Sequence, residues 1–178
     1  VIGNIGEGLV QHLNLQDKIF ARIMTFGKGL GCHGAAVLGS AKLKEYLVNF
    51  ARSFIYTTAL PPHSVATILA AYNHLDTDGR KKIQQLKELI DLFIVKITSY
   101  NMSGIFIQST SAIHCAVVPG NEEVKKIAMA LQQQGYDVKP ILSPTVPQGQ
   151  ERLRMCLHSY NTSDEITGLV TALYKALR

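Results

Sequence analysis

Between residues 78 and 98 the chain carries Ile83, Leu86, Ile90, Phe93, Ile94 and Ile97 at steps of three and four, with Lys81, Lys82, Lys87 and Glu88 between them. That spacing predicts a long helix with one buried and one wet face. Leu43, Tyr46, Leu47 and Phe50 repeat it over 41–50, and Val65, Ile68, Leu69 and Tyr72 form a stripe on a helix that Pro61-Pro62 begins. Asn121 stands where an N-cap belongs, before Val124, Ile127, Ala128 and Leu131, and Gly135 supplies the stop. Thr162 and Glu165 have capping-box spacing at the start of a last helix over 164–177, with Ile166, Leu169, Val170 and Leu173 facing inward. A short helix is predicted over 8–13. Strands are predicted over 22–25, 34–39, 112–118, 136–139 and 153–157. In the second of these Ala36, Val37 and Leu38 are apolar without alternation, as in a strand buried on both faces. After residue 100 the order strand, helix, strand, strand, helix describes a compact α+β layer domain. The boundary is placed near 100–104.

Composition narrows the class. The chain is 47% hydrophobic and 17% charged over 178 residues, enough apolar material for a core. It contains no run of about 18 apolar residues, so no membrane span is expected, and it opens without the charged-then-apolar pattern of a secretory leader. The net charge of +5 is dispersed over Lys42, Lys44, Arg80, Lys81, Lys82, Lys87, Lys125 and Lys126 among acids. Without interleaved aromatic residues this describes solvated helix faces rather than a nucleic-acid surface, although a basic surface can assist an anionic substrate. Cys32, Cys115 and Cys156 lie far apart with no CxxC pair, which fits buried or partly buried thiols in a reducing cytoplasm better than a disulfide framework or zinc site. His33, His63, His74, His114 and His158 show no ligand spacing, so no metal is expected.

The residues that carry chemistry begin with Thr25-Phe26-Gly27-Lys28-Gly29-Leu30-Gly31, which places one lysine in a glycine-hinged loop between two apolar strands. Flanking glycines let backbone approach a bound group closely, and a lysine amine held in a cleft is a nucleophile for carbonyls. Thr25 adds a hydroxyl suited to a phosphate oxygen. A lysine in a surface loop would look the same by spacing alone.

The segment from Thr25 to Ser40 resembles the cofactor-lysine segment of the α-oxoamine synthases, fold-type I enzymes dependent on pyridoxal phosphate (PLP). The resemblance extends through Phe54-Ile55-Tyr56-Thr57-Thr58-Ala59-Leu60-Pro61-Pro62 and through Ser143-Pro144-Thr145-Val146-Pro147-Gln148-Gly149-Gln150-Glu151-Arg152-Leu153-Arg154. It implies an α/β PLP-dependent transferase fold of type I, like aspartate aminotransferase, with 1–100 as part of the large cofactor domain and 101–178 as the small C-terminal α+β domain. The long helix would link the two. Val1-Ile2-Gly3-Asn4-Ile5-Gly6-Glu7-Gly8 resembles the segment after the family's Asp-Glu-Ala-His or Asp-Asp-Ala-His motif. The chain is therefore expected to be the C-terminal half of a longer enzyme, and not to catalyse by itself.

The resemblance also implies roles. Lys28 would bind PLP covalently and act as general base, and Thr25 would contact the phosphate. Thr58 and Thr57 would reach across a homodimer interface to the neighbour's phosphate; the plain alternative is a strand-end turn before the prolines. Arg154 would clamp the carboxylate of the amino-acid substrate, with Arg152 on the same strand face as support; the alternative is that both pair with surface carboxylates. The substrates would be small molecules, an amino acid and an acyl-CoA. The branch that joins L-alanine to a pimeloyl thioester is the nearest likeness. The glycine acetyltransferase and serine palmitoyltransferase branches, or a noncatalytic relic of the fold, are alternatives. Leu142 occupies the position where some members of the pimeloyl branch carry an arginine for the distal carboxylate, and Ser143 replaces a proline common beside it.

Overall fold

The structure, a computed structural model, describes residues 2–178; Val1, which heads the glycine-rich opening segment, lies outside the described residues. The chain divides into two compact units, the first ending at Ile83 and the second running Gln84–Arg178.

In the first unit a short helix α1 (Leu9–His12) and a 3-10 turn (Gln16–Lys18) lead into an antiparallel hairpin. Its strands β1 (Ala21–Thr25) and β2 (Ala35–Gly39) pair from Ala21↔Gly39 to Thr25↔Ala35. Helix α2 (Ala41–Phe50) follows at once, its first turn capped by Ser40, whose hydroxyl accepts from the Leu43 N–H at 3.2 Å. Then come α3 (Arg52–Ile55) and α4 (Pro62–His74), the latter started by proline as the sequence predicts.

Here three expectations about burial fail in whole or in part. Val37 is 52% exposed and Leu38 38%, so β2 is not buried on both faces. Among the described residues β2 pairs only with β1, in a two-stranded ribbon on whose faces Ile23, Val37 and Leu38 remain exposed. On α4, Ile68 and Tyr72 are half-buried, but Val65 and Leu69 face solvent. On α2 Leu43 and Leu47 are half-buried, while Tyr46 and Phe50 are exposed and pack on each other at 5.0 Å between ring centroids.

A π-helical turn (Leu75–Gly79) joins α4 to α5 (Arg80–Ser99), and the division between the units falls inside α5. The predicted apolar stripe is present, with Ile83, Ile90, Phe93 and Ile97 buried and Leu86 and Ile94 half-buried.

The second unit holds a four-stranded antiparallel sheet in the order β3-β4-β6-β5, made of β3 (Phe106–Ile107), β4 (Ile113–Val117), β5 (Lys139–Ile141) and β6 (Arg152–Cys156). Strand β3 has no counterpart in the sequence expectations, being only two residues long. Strand β5 begins later than predicted because a Val138 N–H to Tyr136 carbonyl bond of 2.8 Å, and a Gln132 amide donating to the Val138 carbonyl, hold 136–138 as a turn. Helices α6 (Asn121–Gln132) and α7 (Ser163–Ala176) pack with the sheet and α5 around one core. Phe93, Val124, Leu131, Leu153, Val170 and Leu173 are all fully buried there.

Helix α7 has the predicted capping box, with Thr162 and Glu165 bonded reciprocally. Asn121 is not the cap of α6. The cap is Gly120, without a side-chain bond, and Asn121 is already the first helical residue. Its side chain is engaged by the backbone of Ser143 instead.

Candidate active site

Lys28 sits in the loop closing the β1–β2 hairpin, three residues beyond the last ladder pair. Three backbone bonds set the loop's shape: Phe26 N–H to the Gly34 carbonyl at 2.9 Å, Cys32 N–H to the Phe26 carbonyl at 2.8 Å, and Gly31 N–H to the Lys28 carbonyl at 2.9 Å. Phe26 and Cys32 are buried on either side of the lysine. The Phe26 ring meets Tyr72 of α4 edge-on at 6.5 Å, and the Cys32 thiol lies 3.7 Å from the Thr67 carbonyl of the same helix. Lys28 itself points to solvent, where Nζ donates to Thr25 Oγ1 at 3.0 Å. The loop is thus fastened by its apolar residues and presents the amine and the hydroxyl together.

Thr57 and Thr58 follow α3 in an exposed stretch leading to Leu60. Leu60 is close to the loop, since a Cβ added at Gly34 would lie 2.9 Å from its Cδ1. Among the described residues neither threonine hydroxyl has a hydrogen-bond partner, and neither bonds Lys28 or Thr25.

Arg154 belongs to the second unit. Strand β6 alternates, with Leu153 and Met155 buried and Arg152, Arg154 and Cys156 on the other face. The two arginines share that face as predicted, and among the described residues neither is in an ion pair. Arg152 Nε donates to the Gln150 carbonyl at 2.9 Å. Arg154 lies between Cys115 of β4 and Lys139 of β5 in the sheet register. Like charges directly opposite repel, and Lys139 is partly neutralised by Asp137 at 2.7 Å. Arg154 and Lys139 border an open groove of about 690 Å³ together with Tyr136, Cys156, His158 and Tyr160. Burial pushes the Cys115 thiol up, while the charges of Arg152 and Arg154 pull it the other way. All three cysteines are free thiols, although Cys156 is exposed rather than buried as expected.

Sequence reasoning missed Glu151. It is 2% exposed, yet it continues the inward stripe of Leu153, Met155 and Leu157. An acid on the apolar side of a strand alternation was the available signal. Its Oε2 accepts from the Gly120 N–H at 2.9 Å and the Gly149 N–H at 3.0 Å. These bonds, Gly120's foremost, hold its carboxyl below the usual carboxylate range. Among the described residues no group of three metal-ligating side chains converges, and no helix is long and apolar enough to cross a membrane.

Residues 5–173 match the aminotransferase class I and II family, so the chain belongs to that family. Its relatives place it with the α-oxoamine synthases. An 8-amino-7-oxononanoate synthase of Emericella nidulans is 41% identical over 97% of this chain and 43% of its own length. The crystal structure of 8-amino-7-oxononanoate synthase from Francisella tularensis superposes with a TM-score of 0.84 at 26% identity, over 99% of this chain and 51% of that one. A serine palmitoyltransferase from S. paucimobilis with bound PLP-myriocin aldimine, 23% identical, shares the fold with a TM-score of 0.85 over 98% of this chain and 44% of its own. The chain therefore spans less than half the length of the curated relatives it matches. Its fold is part of the PLP-dependent type I transferase fold.

PLP is the cofactor of this family. The chemistry of the Lys28 loop fits it: an exposed primary amine suits an aldehyde, and the Thr25 hydroxyl beside it retains its hydrogen for a phosphate oxygen. Gly27 and Gly29 leave the backbone on both sides of the lysine unscreened.

Proposed function

We propose that the protein containing this chain is a PLP-dependent acyltransferase that condenses L-alanine with pimeloyl-CoA, or a pimeloyl carrier protein, to 8-amino-7-oxononanoate in biotin biosynthesis. The carrying observation is the Lys28–Thr25 pair, presented at 3.0 Å on a loop pinned by Phe26 and Cys32. The 41% identity to the Emericella nidulans synthase supports the acyl donor and the amino acid. Because the chain spans 43% of that relative, the activity is assigned to the whole protein rather than to these residues alone.

When bound, PLP supplies an electron sink for charge that develops at the α-carbon of the amino acid. Lys28 Nζ would hold the cofactor through its aldehyde, and the same amine would serve as the base for the α-proton of the amino acid. Thr25 donates its hydroxyl to the phosphate, as do Thr58 and then Thr57 across a homodimer interface; their exposed hydroxyls are free for that task. Arg154 binds the substrate carboxylate through its planar fork, with Arg152 in support. Residues 1–100 form part of the large domain, with α5 as the link to 101–178. Free thiols are in keeping with a cytoplasmic location.

A second reading, another α-oxoamine synthase taking glycine or serine, or a long monocarboxylic acyl chain, has one observation in its favour. Leu142 packs against the core of the second unit where an arginine would serve a distal carboxylate.

The test is borohydride reduction of the full-length protein with PLP, followed by peptide mass spectrometry. A phosphopyridoxyl group on the peptide containing Lys28, absent in Lys28→Ala along with product formation, is the expected result; labelling scattered over surface lysines would refute it. Turnover of alanine with pimeloyl-CoA against serine with palmitoyl-CoA then separates the two readings.

A further inference from the structure

The loop 142–150 carries the chain from β5 to β6, and both its ends are fastened to the start of α6. At one end the Ser143 N–H donates to Asn121 Oδ1 at 2.9 Å, while Asn121 Nδ2 donates to the Ser143 carbonyl at 3.3 Å. At the other, Glu151 Oε2 gathers the N–H groups of Gly120 and Gly149, and the Val118 N–H reaches the Glu151 carbonyl at 2.8 Å. A carboxylate facing inward from a strand is costly unless its oxygens are bonded. Gly120 at φ +97° and Gly149 at φ +81° adopt backbone conformations that side chains disfavour, and both deliver their amides to one oxygen.

We infer that Glu151, aided by Asn121, is a positioning residue for substrate recognition: it locks the 142–150 loop onto α6 and thereby fixes where Arg154 meets the amino-acid carboxylate. The inference rests on the role given to Arg154 under the proposed function. Glu151 immediately precedes β6, on which Arg152 and Arg154 follow one and three residues later, and Arg152 is further tied to the Gln150 carbonyl. Beside the clasp lies an open cavity of about 470 Å³ lined by Pro119, Asn121, Ser143, Gln148 and Gly149, into which the loop can settle when the carboxylate is removed. A side chain that served the fold alone would affect all kinetic constants through the amount of folded enzyme. One that places Arg154 acts on amino-acid binding.

The experiment uses the full-length protein with PLP and compares Glu151→Ala, Glu151→Gln and Asn121→Ala by amide hydrogen exchange over 142–150 and by steady-state kinetics. Glu151→Ala is expected to speed exchange at Gly120, Gly149 and the loop, and to raise the amino-acid KM about tenfold, as for one lost charge-assisted hydrogen bond, with kcat and the acyl-donor KM near wild type. Glu151→Gln should recover most of both effects, because its carboxamide oxygen still accepts from the two amides. If Glu151→Ala does not fold, Asn121→Ala loosens the opposite end of the loop and is expected to raise the same KM by a smaller factor. Unchanged exchange overturns the inference, as does a loss spread equally over kcat and both KM values. Arg154→Lys separates the two levels: a raised amino-acid KM there with none in Glu151→Ala removes the clasp alone. A wild-type KM in Arg154→Lys removes the role of Arg154, and the clasp's purpose with it.

Discussion

Single side chains in this protein are most informative where polarity and burial disagree. His114 is 2% exposed, lies against the Phe93 ring at 4.6 Å, and its Nε2 has no partner among the described residues. Desolvation holds its pKa below the ordinary histidine value. The unfolded chain then binds a proton at a pH where the folded one does not, so the neutral form's stability is complete above about pH 6.5 and declines as pH falls toward the lowered folded value. Thermal unfolding between pH 7 and 5 should show Tm falling with acid, and His114→Leu should flatten that slope; an unchanged slope would show that His114 does not set it. Glu151 is the opposite case, a buried acid with its oxygens supplied. It was legible as an interruption of the stripe formed by Leu153, Met155 and Leu157, but its partners were not, because Gly120 and Gly149 meet it only after the chain has folded back. Asn121 misled for the same reason: a good capping residue at the right place was taken by a partner distant in sequence.

Among the elements, the helices were the most readable, since three-and-four spacing and local signals such as Thr162 with Glu165 are written in consecutive residues. What spacing cannot tell is whether anything covers an apolar face, which is why Val37, Val65 and Leu69 were expected inside and lie outside. The hairpin loop shows how an element can be exact about one residue. Gly34 has φ +114°, and an added Cβ would come within 2.9 Å of Leu60. Gly34→Ala should therefore destabilise the loop by about 1–3 kcal/mol and reduce the yield of the phosphopyridoxyl adduct on Lys28. A wild-type Tm and a full adduct yield in that variant would show the loop tolerates the change.

The chain as a whole distributes its core unevenly. The continuous cluster from Leu89 to Leu173 lies in the second unit, while the first buries Phe26, Cys32 and Ile83 and exposes Phe20, Ile23, Phe54 and Tyr56. Local stability follows buried apolar contact. Brief proteolysis of this chain made by itself should cut first within 2–83 and leave a resistant product containing α6, α7 and the four-stranded sheet; cleavage spread evenly over both units would contradict the packing described. That imbalance has a cellular side as well. Exposed apolar side chains such as Phe20 and Ile23 at β1 and Phe54 and Tyr56 at α3 are what holdase chaperones grip and what quality-control proteases enter. A chain released with these side chains still bare is therefore expected to be a client for such chaperones and proteases.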